Sequence, residues 1–333
     1  MIATVEALPV GTLVAGVDVG GTKTALVVTD AEDNVLYEKV APTERGAVLD
    51  QIISLVGELR RKMREDGRDL SAVGVAIPGR VDPADGSVRM AVNLGITHLE
   101  LGPRLAAETG LPSFVEHDAR AAALWLSQSG NGGASPSLAY LAVGTGISAG
   151  IIVDGAILRG ENGLAGEVGH VTADPYGPTC ACGLQGCLEA VAAGPAIARQ
   201  AQTAMADGRP TSMSGTPTAA DVFHAGSAGD PLAIEITDRV TGHIARAVRA
   251  LALTAGVKRV IIGGGVAAAG DALLVPIQAR IEQERATSPL IAAALDGAQV
   301  QLLAPEWKAG ARGAAAIARQ RICLPQREGV GER

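Results

Sequence analysis

Cys180, Cys182 and Cys187 fall within one eight-residue stretch, and His170 lies ten positions before the first of them. Three thiolates and one imidazole make a closed tetrahedral Zn²⁺ site, which in a structural role needs no further ligand. The plain alternative is three buried, reduced thiols. Cys323 has no such company and reads as an incidental thiol. Glycine turns are the second chemical signal. Asp18-Val-Gly20-Gly21-Thr22-Lys23-Thr24 offers N–H groups and hydroxyls to phosphate oxygens, with a carboxylate beside them to hold a cation. It is not a Walker A loop or a dinucleotide fingerprint, because strand rather than helix follows it. An ordinary hairpin turn is the competing reading, since Gly-Gly hairpins are common. Gly144-Thr145-Gly146 and Gly263-Gly264-Gly265 each follow another β-branched run. Three such turns, at strand ends in two halves of one chain, suggest a nucleotide clasped between two domains.

A third signal is Glu116-His117-Asp118-Ala119, ahead of a run of good helix formers. From spacing alone Asp118 is a helix N-cap. A helix N-terminus also stabilises an ionised carboxylate, the form a general base needs.

The elements that must position these groups follow from periodicity. Leu13–Val19, Thr22–Val28 and Val35–Val40 read as strands in an antiparallel meander, with a turn over Asp30–Asn34. Apolar Val48, Ile52, Leu55, Val56 and Leu59 recur at helical spacing over residues 47–65. Strands at 72–77 and 113–116 and a helix at 118–128 complete the first half. The polar, Gly/Ser/Pro-rich stretch 131–137 is the best candidate boundary. The second half starts again with strands at 138–143 and near 149–153, so both halves fit one βββαβα plan. A surface loop over 207–218, helices around 231–254, a strand at 257–262 and a helix at 271–284 follow; the tail past Pro325 reads as disordered.

Composition limits what these parts can be. Only 2 Trp, 3 Tyr and 2 Phe occur, too few rings for a surface that stacks bases, and a net charge of −7 opposes a broad phosphate-backbone footprint. No nucleic-acid partner is expected. No apolar run reaches the roughly 18 residues that span a bilayer, and Met1–Thr12 lacks the basic start of a secretory signal. The clustered cysteines do not suit an exported disulfide framework, so a cytoplasmic protein without a membrane partner is expected.

Taken in order, Asp18-x-Gly-Gly-Thr-Lys-Thr, Gly144-Thr-Gly, Gly166-Glu-Val-Gly-His170, Cys180-Ala-Cys-Gly-Leu-Gln-Gly-Cys187-Leu-Glu189, Gly263-Gly-Gly and Ala309-Gly-Ala-Arg-Gly-Ala-Ala resemble the ROK family of repressors and sugar kinases. The likeness runs from about Val14 to Arg319. It implies an α/β protein of two actin-like (ribonuclease H-like) domains with a cleft between them. Residues 12–130 would form the smaller domain, completed by a C-terminal helix at about 306–322, and 131–305 the larger one with its zinc loop. It implies ATP with Mg²⁺ held by Asp18, Gly20, Gly21, Thr22, Lys23, Gly144, Thr145, Gly146 and the Gly263–Gly265 turn. A sugar would be held by Gly79, Asn93, His117, Glu167, His170 and Glu189, with Glu189 near the anomeric position and Asp118 as catalytic base. Zinc on His170, Cys180, Cys182 and Cys187 would be structural and shape the loop holding Glu167 and Glu189. The family favours homodimers and homotetramers.

The activity implied is phosphorylation of the 6-hydroxyl of a hexose, most simply glucose. Three departures bear on this: His117 stands where the kinases usually have Asn, Leu94-Gly95-Ile96 lacks a frequent Trp, and Gly146-Ile147-Ser148-Ala149 replaces a glycine run. His117 leaves room for an amino sugar such as kanosamine or a glucose-like cyclitol. A sugar-responsive regulator is the reading from another class; only Met1–Val17 precede Asp18, too few for a DNA-reading head, whose helices need several tens of residues.

Overall fold

The computed structural model describes residues 11–130 and 136–323. Most of the expected 131–137 connection and the tail past Pro325 lie outside those residues. The described chain divides into two compact units. One comprises the chain up to Ser129, the short stretch Glu161–Gly163 and the chain from Trp307; the other comprises Gly130–Gly160 and Leu164–Glu306.

In the first unit, strands β1 (Val14–Val19), β2 (Lys23–Thr29), β3 (Val35–Pro42), β4 (Ala72–Ile77) and β8 (Ser113–His117) form one sheet in the order β3-β2-β1-β4-β8. β1 pairs antiparallel with β2 and parallel with β4, and β4 pairs parallel with β8. β5 (Arg80–Val81), β6 (Val88–Ala91) and β7 (Ile96–Leu99) make a separate three-stranded sheet. Helices α1 (Val48–Glu65), α2 (Leu101–Thr109) and α3 (Asp118–Gln128) interleave with them, and α10 (Ala309–Ile322) returns from the far end of the chain.

The alternation of β1 sorts its side chains between two layers. Ala15, Val17 and Val19 join a core with Val48, Ile52, Val56 and Leu59 of α1. Each buried aliphatic side chain there contributes roughly 1.5–3 kcal/mol. Val14, Gly16 and Asp18 fall on the opposite face, where Val14 packs with Ala311, Ala315 and Ala318 of α10. Gly16 and Gly74 are register partners on β1 and β4, and a Cβ on either would overlap backbone carbonyls of α10. The two glycines therefore open a groove in which the alanine-rich helix lies against the strands. Asp33, at a left-handed position in the β2–β3 turn, locks that helix down: it accepts from Arg312 (2.5 Å), Arg319 (2.6 Å) and the Trp125 indole of α3 (2.6 Å).

The second unit repeats the sheet. β9 (Leu138–Val143), β10 (Ile147–Val153), β11 (Ala156–Ile157), β12 (Arg259–Gly263) and β13 (Gln299–Leu302) run in the order β11-β10-β9-β12-β13. The senses match as well: β9 is antiparallel to β10 and parallel to β12. Helices α4 (Leu188–Ala192), α5 (Gly194–Ala206), α6 (Ala219–Ser227), α7 (Pro231–Ala255), α8 (Asp271–Thr287) and α9 (Pro289–Ala294) belong to this unit. Leu141, Val143, Ile151 and Ile262 of the strands share its core with Ile236, Val240 and Ile244 of α7.

Several boundaries differ from expectation. β10 begins at Ile147, not near 149, because its first residues continue the ladder from the glycine turn. β12 begins at Arg259 and α8 runs on to Thr287, accommodating Pro276 inside it. The three-stranded sheet, α2, α4, α5, α6, α9 and β13 were not anticipated. They are mostly short, and short segments carry little periodicity. Among the described residues, no helix is long and apolar enough to cross a membrane.

Candidate functional site

The β1–β2 connection is a tight turn closed by Gly20 N–H donating to Lys23 O at 3.0 Å. Thr43 Oγ1 donates to Gly20 O at 2.7 Å, and Thr43 N–H donates to Thr22 O at 3.0 Å. Behind them Gln51 accepts from Thr24 Oγ1 (3.3 Å) and Glu44 N–H (3.1 Å). Lys23 is exposed. Gly21 lies against Asn93, which stands exposed on a short 3₁₀ turn, Val92–Leu94. Gly79, at φ 101°, packs against the backbone of Ala91, immediately before that turn.

Asp18 faces the first turn of α10, where a Cβ at Gly310 would strike its carboxylate. Burial, then the nearby charge of Asp118, push the Asp18 pKa up to about 7, while Lys23 pulls the other way. The two acids are thus electrostatic neighbours. A divalent cation would relieve their repulsion, and oxygen donors suit Mg²⁺.

Asp118 is the first residue of α3 and not its cap. β8 runs into α3 without a loop, so His117, with extended backbone (φ −61°, ψ 136°), takes the cap position. Asp118 Oδ1 accepts the Ala119 amide at 2.6 Å and lies 3.2 Å from Nδ1 of the buried His117. The Asp118 side chain is 34% exposed, which leaves a carboxylate open to a reactant. Arg120 is buried in the same helix turn; its guanidinium donates to Gly163 O at 2.6 Å and lies 3.5 Å from the Glu116 carboxylate.

In the second unit, Gly144–Gly146 joins β9 to β10, with Gly144 N–H donating to Gly146 O at 2.9 Å. The first residue of α5 is tied to this turn through Gly194 N–H and Gly144 O, 2.8 Å apart. Gly264 and Gly265 approach Gly144, so the second and third glycine turns are neighbours. Gly263 ends β12 and Gly265 opens a 3₁₀ turn, which leaves Gly264 (φ 86°) as the pivot. Glu189 Oε2 accepts the Ile147 amide at 2.9 Å, so one of its oxygens is committed to the glycine turn. Glu167 precedes a 3₁₀ turn, Val168–His170, that carries His170.

The four predicted metal ligands meet. One donor atom each from His170, Cys180, Cys182 and Cys187 lies within 4.8 Å of all the others. Cys180 Sγ is 3.8 Å from His170 Nδ1, and Cys182 Sγ is 3.6 Å from Cys187 Sγ. Zn–S bonds of about 2.3 Å in a tetrahedron place sulfurs about 3.8 Å apart, close to this spacing. Burial first, and then the Cys182 and Cys180 thiols, push the Cys187 pKa up to about 12. Such a cluster ionises together only around a cation.

Sequence reasoning missed Thr43, Arg45 and Gln51, which lie outside the motifs, and gave Gly310, inside the closing Ala309-Gly-Ala-Arg motif, no part beside Asp18. A cavity of about 370 Å³ also opens between residues 46–50 and 95–99, and none of the predicted site residues lines it.

The ROK family matches this chain over residues 14–321. The chain belongs to the ROK family. A glucokinase from Halalkalibacterium halodurans is 34% identical over 278 residues, covering 80% of this chain and 84% of that one. An N-acetylmannosamine kinase from Citrobacter koseri is 31% identical, covering 91% and 97%. Among solved structures, a ROK glucokinase from Streptomyces griseus in complex with glucose and AMPPNP is 33% identical, with a TM-score of 0.73 over 92% of this chain and 99% of that one. The two sheets of identical order are the actin-like pattern expected of a ROK sugar kinase.

Proposed function

We propose that this ROK sugar kinase transfers the γ-phosphoryl group of ATP to the 6-hydroxyl of a hexose, most simply glucose, with Asp118 as general base. The observation that carries this is Asp118 itself: a partly exposed carboxylate at the first position of α3, an electrostatic neighbour of Asp18, following β8 at the same end of the parallel β1, β4 and β8 as the first glycine turn. In the reaction the sugar oxygen forms a bond to phosphorus as the β,γ-bridging P–O bond breaks. ADP leaves, and the hydroxyl proton passes to the Asp118 carboxylate. Positioning and charge stabilisation supply most of the rate in such transfers, and a base contributes about 10²–10⁴-fold.

The N–H groups of the glycine turns would serve the phosphates, and Asp18 would hold the Mg²⁺ that neutralises their charge. Asn93, Glu167, His170 and the second oxygen of Glu189 hold sugar hydroxyls. Because His170 Nδ1 faces Cys180, its Nε2 is the atom left for a hydroxyl. Zinc on the Cys₃His cluster would keep the Glu167–Glu189 loop in shape without entering the reaction.

The test is Asp118→Asn, assayed by coupled ADP release with glucose, mannose and N-acetylmannosamine, alongside calorimetry of glucose binding. Turnover lost by at least about 100-fold with glucose affinity kept is the expected result. Near-native turnover in that variant removes Asp118 from the role.

A further inference from the structure

The first glycine turn is braced by a side chain that no motif contains. Arg45 is exposed and lies just before α1. Its Nε donates to Gly21 O at 3.0 Å, and its Nη2 donates to the same oxygen at 2.8 Å. The preceding carbonyl, Gly20 O, is held in turn by Thr43 Oγ1 at 2.7 Å. Two successive carbonyls of the turn are therefore tied to the 43–45 segment.

Peptide planarity makes this consequential. In a trans peptide the C=O and the N–H of the next residue point in opposite directions. Holding Gly20 O and Gly21 O toward Thr43 and Arg45 turns the Gly21 and Thr22 amides away from them. Consecutive amides presented together form a concave donor set suited to phosphate. The Gly20–Gly21 segment has little steric preference of its own, so without a brace these peptides would rotate.

We propose that Arg45 is a positioning residue for the phosphate donor: by holding the Gly21 carbonyl it aims the Thr22 amide at the donor's terminal phosphate. The proposal rests on the reading of this turn as a phosphate site. It departs from the simpler idea that an exposed arginine pairs with a phosphate directly, because here the guanidinium is engaged with the backbone.

The test compares Arg45→Met, which keeps length and loses every donor, with Arg45→Lys, which keeps one. Binding of Mg·AMPPNP is measured by calorimetry and KM for ATP and for glucose by coupled assay, with Tm recorded for each. In the methionine variant, AMPPNP affinity should fall and KM for ATP should rise by about tenfold or more, the loss of one hydrogen bond to a charged group. KM for glucose should stay within about twofold of native and Tm within about 2 °C, since one exposed brace is removed. The lysine variant should recover to within about threefold of native. The deficit of the methionine variant should also persist unchanged between about 0.05 and 0.3 M KCl, because an aimed amide is screened little by salt.

Native AMPPNP affinity in the methionine variant overturns the proposal, as do equal losses in both variants. A deficit that closes as salt rises shows direct pairing with phosphate and overturns it too. Failure of the sugar-kinase reading looks different: native protein would bind AMPPNP yet phosphorylate no hexose.

Discussion

The carboxylate of Asp18 occupies the space into which a side chain at Gly310 would grow, although the two residues lie at opposite ends of the chain. Strand alternation sends Asp18 to the α10 face of its sheet. The first turn of α10 meets it there with bare backbone, and a helix N-terminus favours a negative charge beside it.

Gly310→Ala should therefore damage the site directly. Its methyl group can be housed only by displacing Asp18 or lifting the helix, and overpacking of this kind costs about 1–3 kcal/mol. Calorimetry should show a Tm lowered by several degrees, and turnover should fall by more than about tenfold. A variant with native melting and native turnover would refute the steric relationship.

Asp18 also sets a pH dependence. Its pKa stands at about 7 in the folded chain against 3.8 as a free side chain. The folded state thus holds a proton that the unfolded state has released, and stability falls as pH rises through that window. Metal-free, nucleotide-free protein should lose on the order of 4 kcal/mol between about pH 4 and pH 8 through this group. Denaturant titrations at several pH values measure the slope. Asp18→Asn should flatten it, and so should Mg²⁺ with nucleotide; an unchanged slope in the asparagine variant shows that another group is responsible.

Metal analysis of purified protein should find about one zinc per chain, the content of a closed Cys₃His site. Cys187→Ser should abolish it. Chelation should lower Tm and weaken sugar affinity more than nucleotide affinity, because the cluster holds the loop bearing Glu167 and Glu189. A fully active protein without zinc would leave the four residues as a packing cluster.

Glu189, proposed as a sugar ligand, also holds the second glycine turn. Its Oε2 holds the Ile147 amide beside Gly146, so Glu189→Ala leaves that amide without its partner and frees the turn. KM for ATP and KM for the sugar should both rise, each by about tenfold or more. Glu189→Gln keeps an acceptor for the amide and should affect the sugar alone. Equal effects of the two substitutions on ATP would show that the turn does not depend on this contact.

How much of this was legible beforehand follows the range of the interactions. β1, β4 and β9 announce themselves because strands buried on both faces are near-continuous apolar runs. The Cys₃His cluster is legible because its ligands sit within 18 residues of chain, so one loop can gather them. Asp118 drew notice as a cap, yet its place one position inside the helix depended on β8 continuing to His117. The β5–β7 sheet left no signal, since strands of two to four residues show no period.

The chain alone therefore determined the local chemistry: which turns can present amides, which thiols can share a metal, and which runs must be strands. Those properties arise between residues a few positions apart. Tertiary structure decided what surrounds each group. It set Gly310 against Asp18, a brace at Arg45 behind Gly21, Asp33 under Arg312 and Arg319, and one oxygen of Glu189 on the Ile147 amide. Each of these joins residues tens to hundreds of positions apart. Only the packing of strands and helices brings such partners within hydrogen-bond reach, and no spacing along the chain encodes that distance.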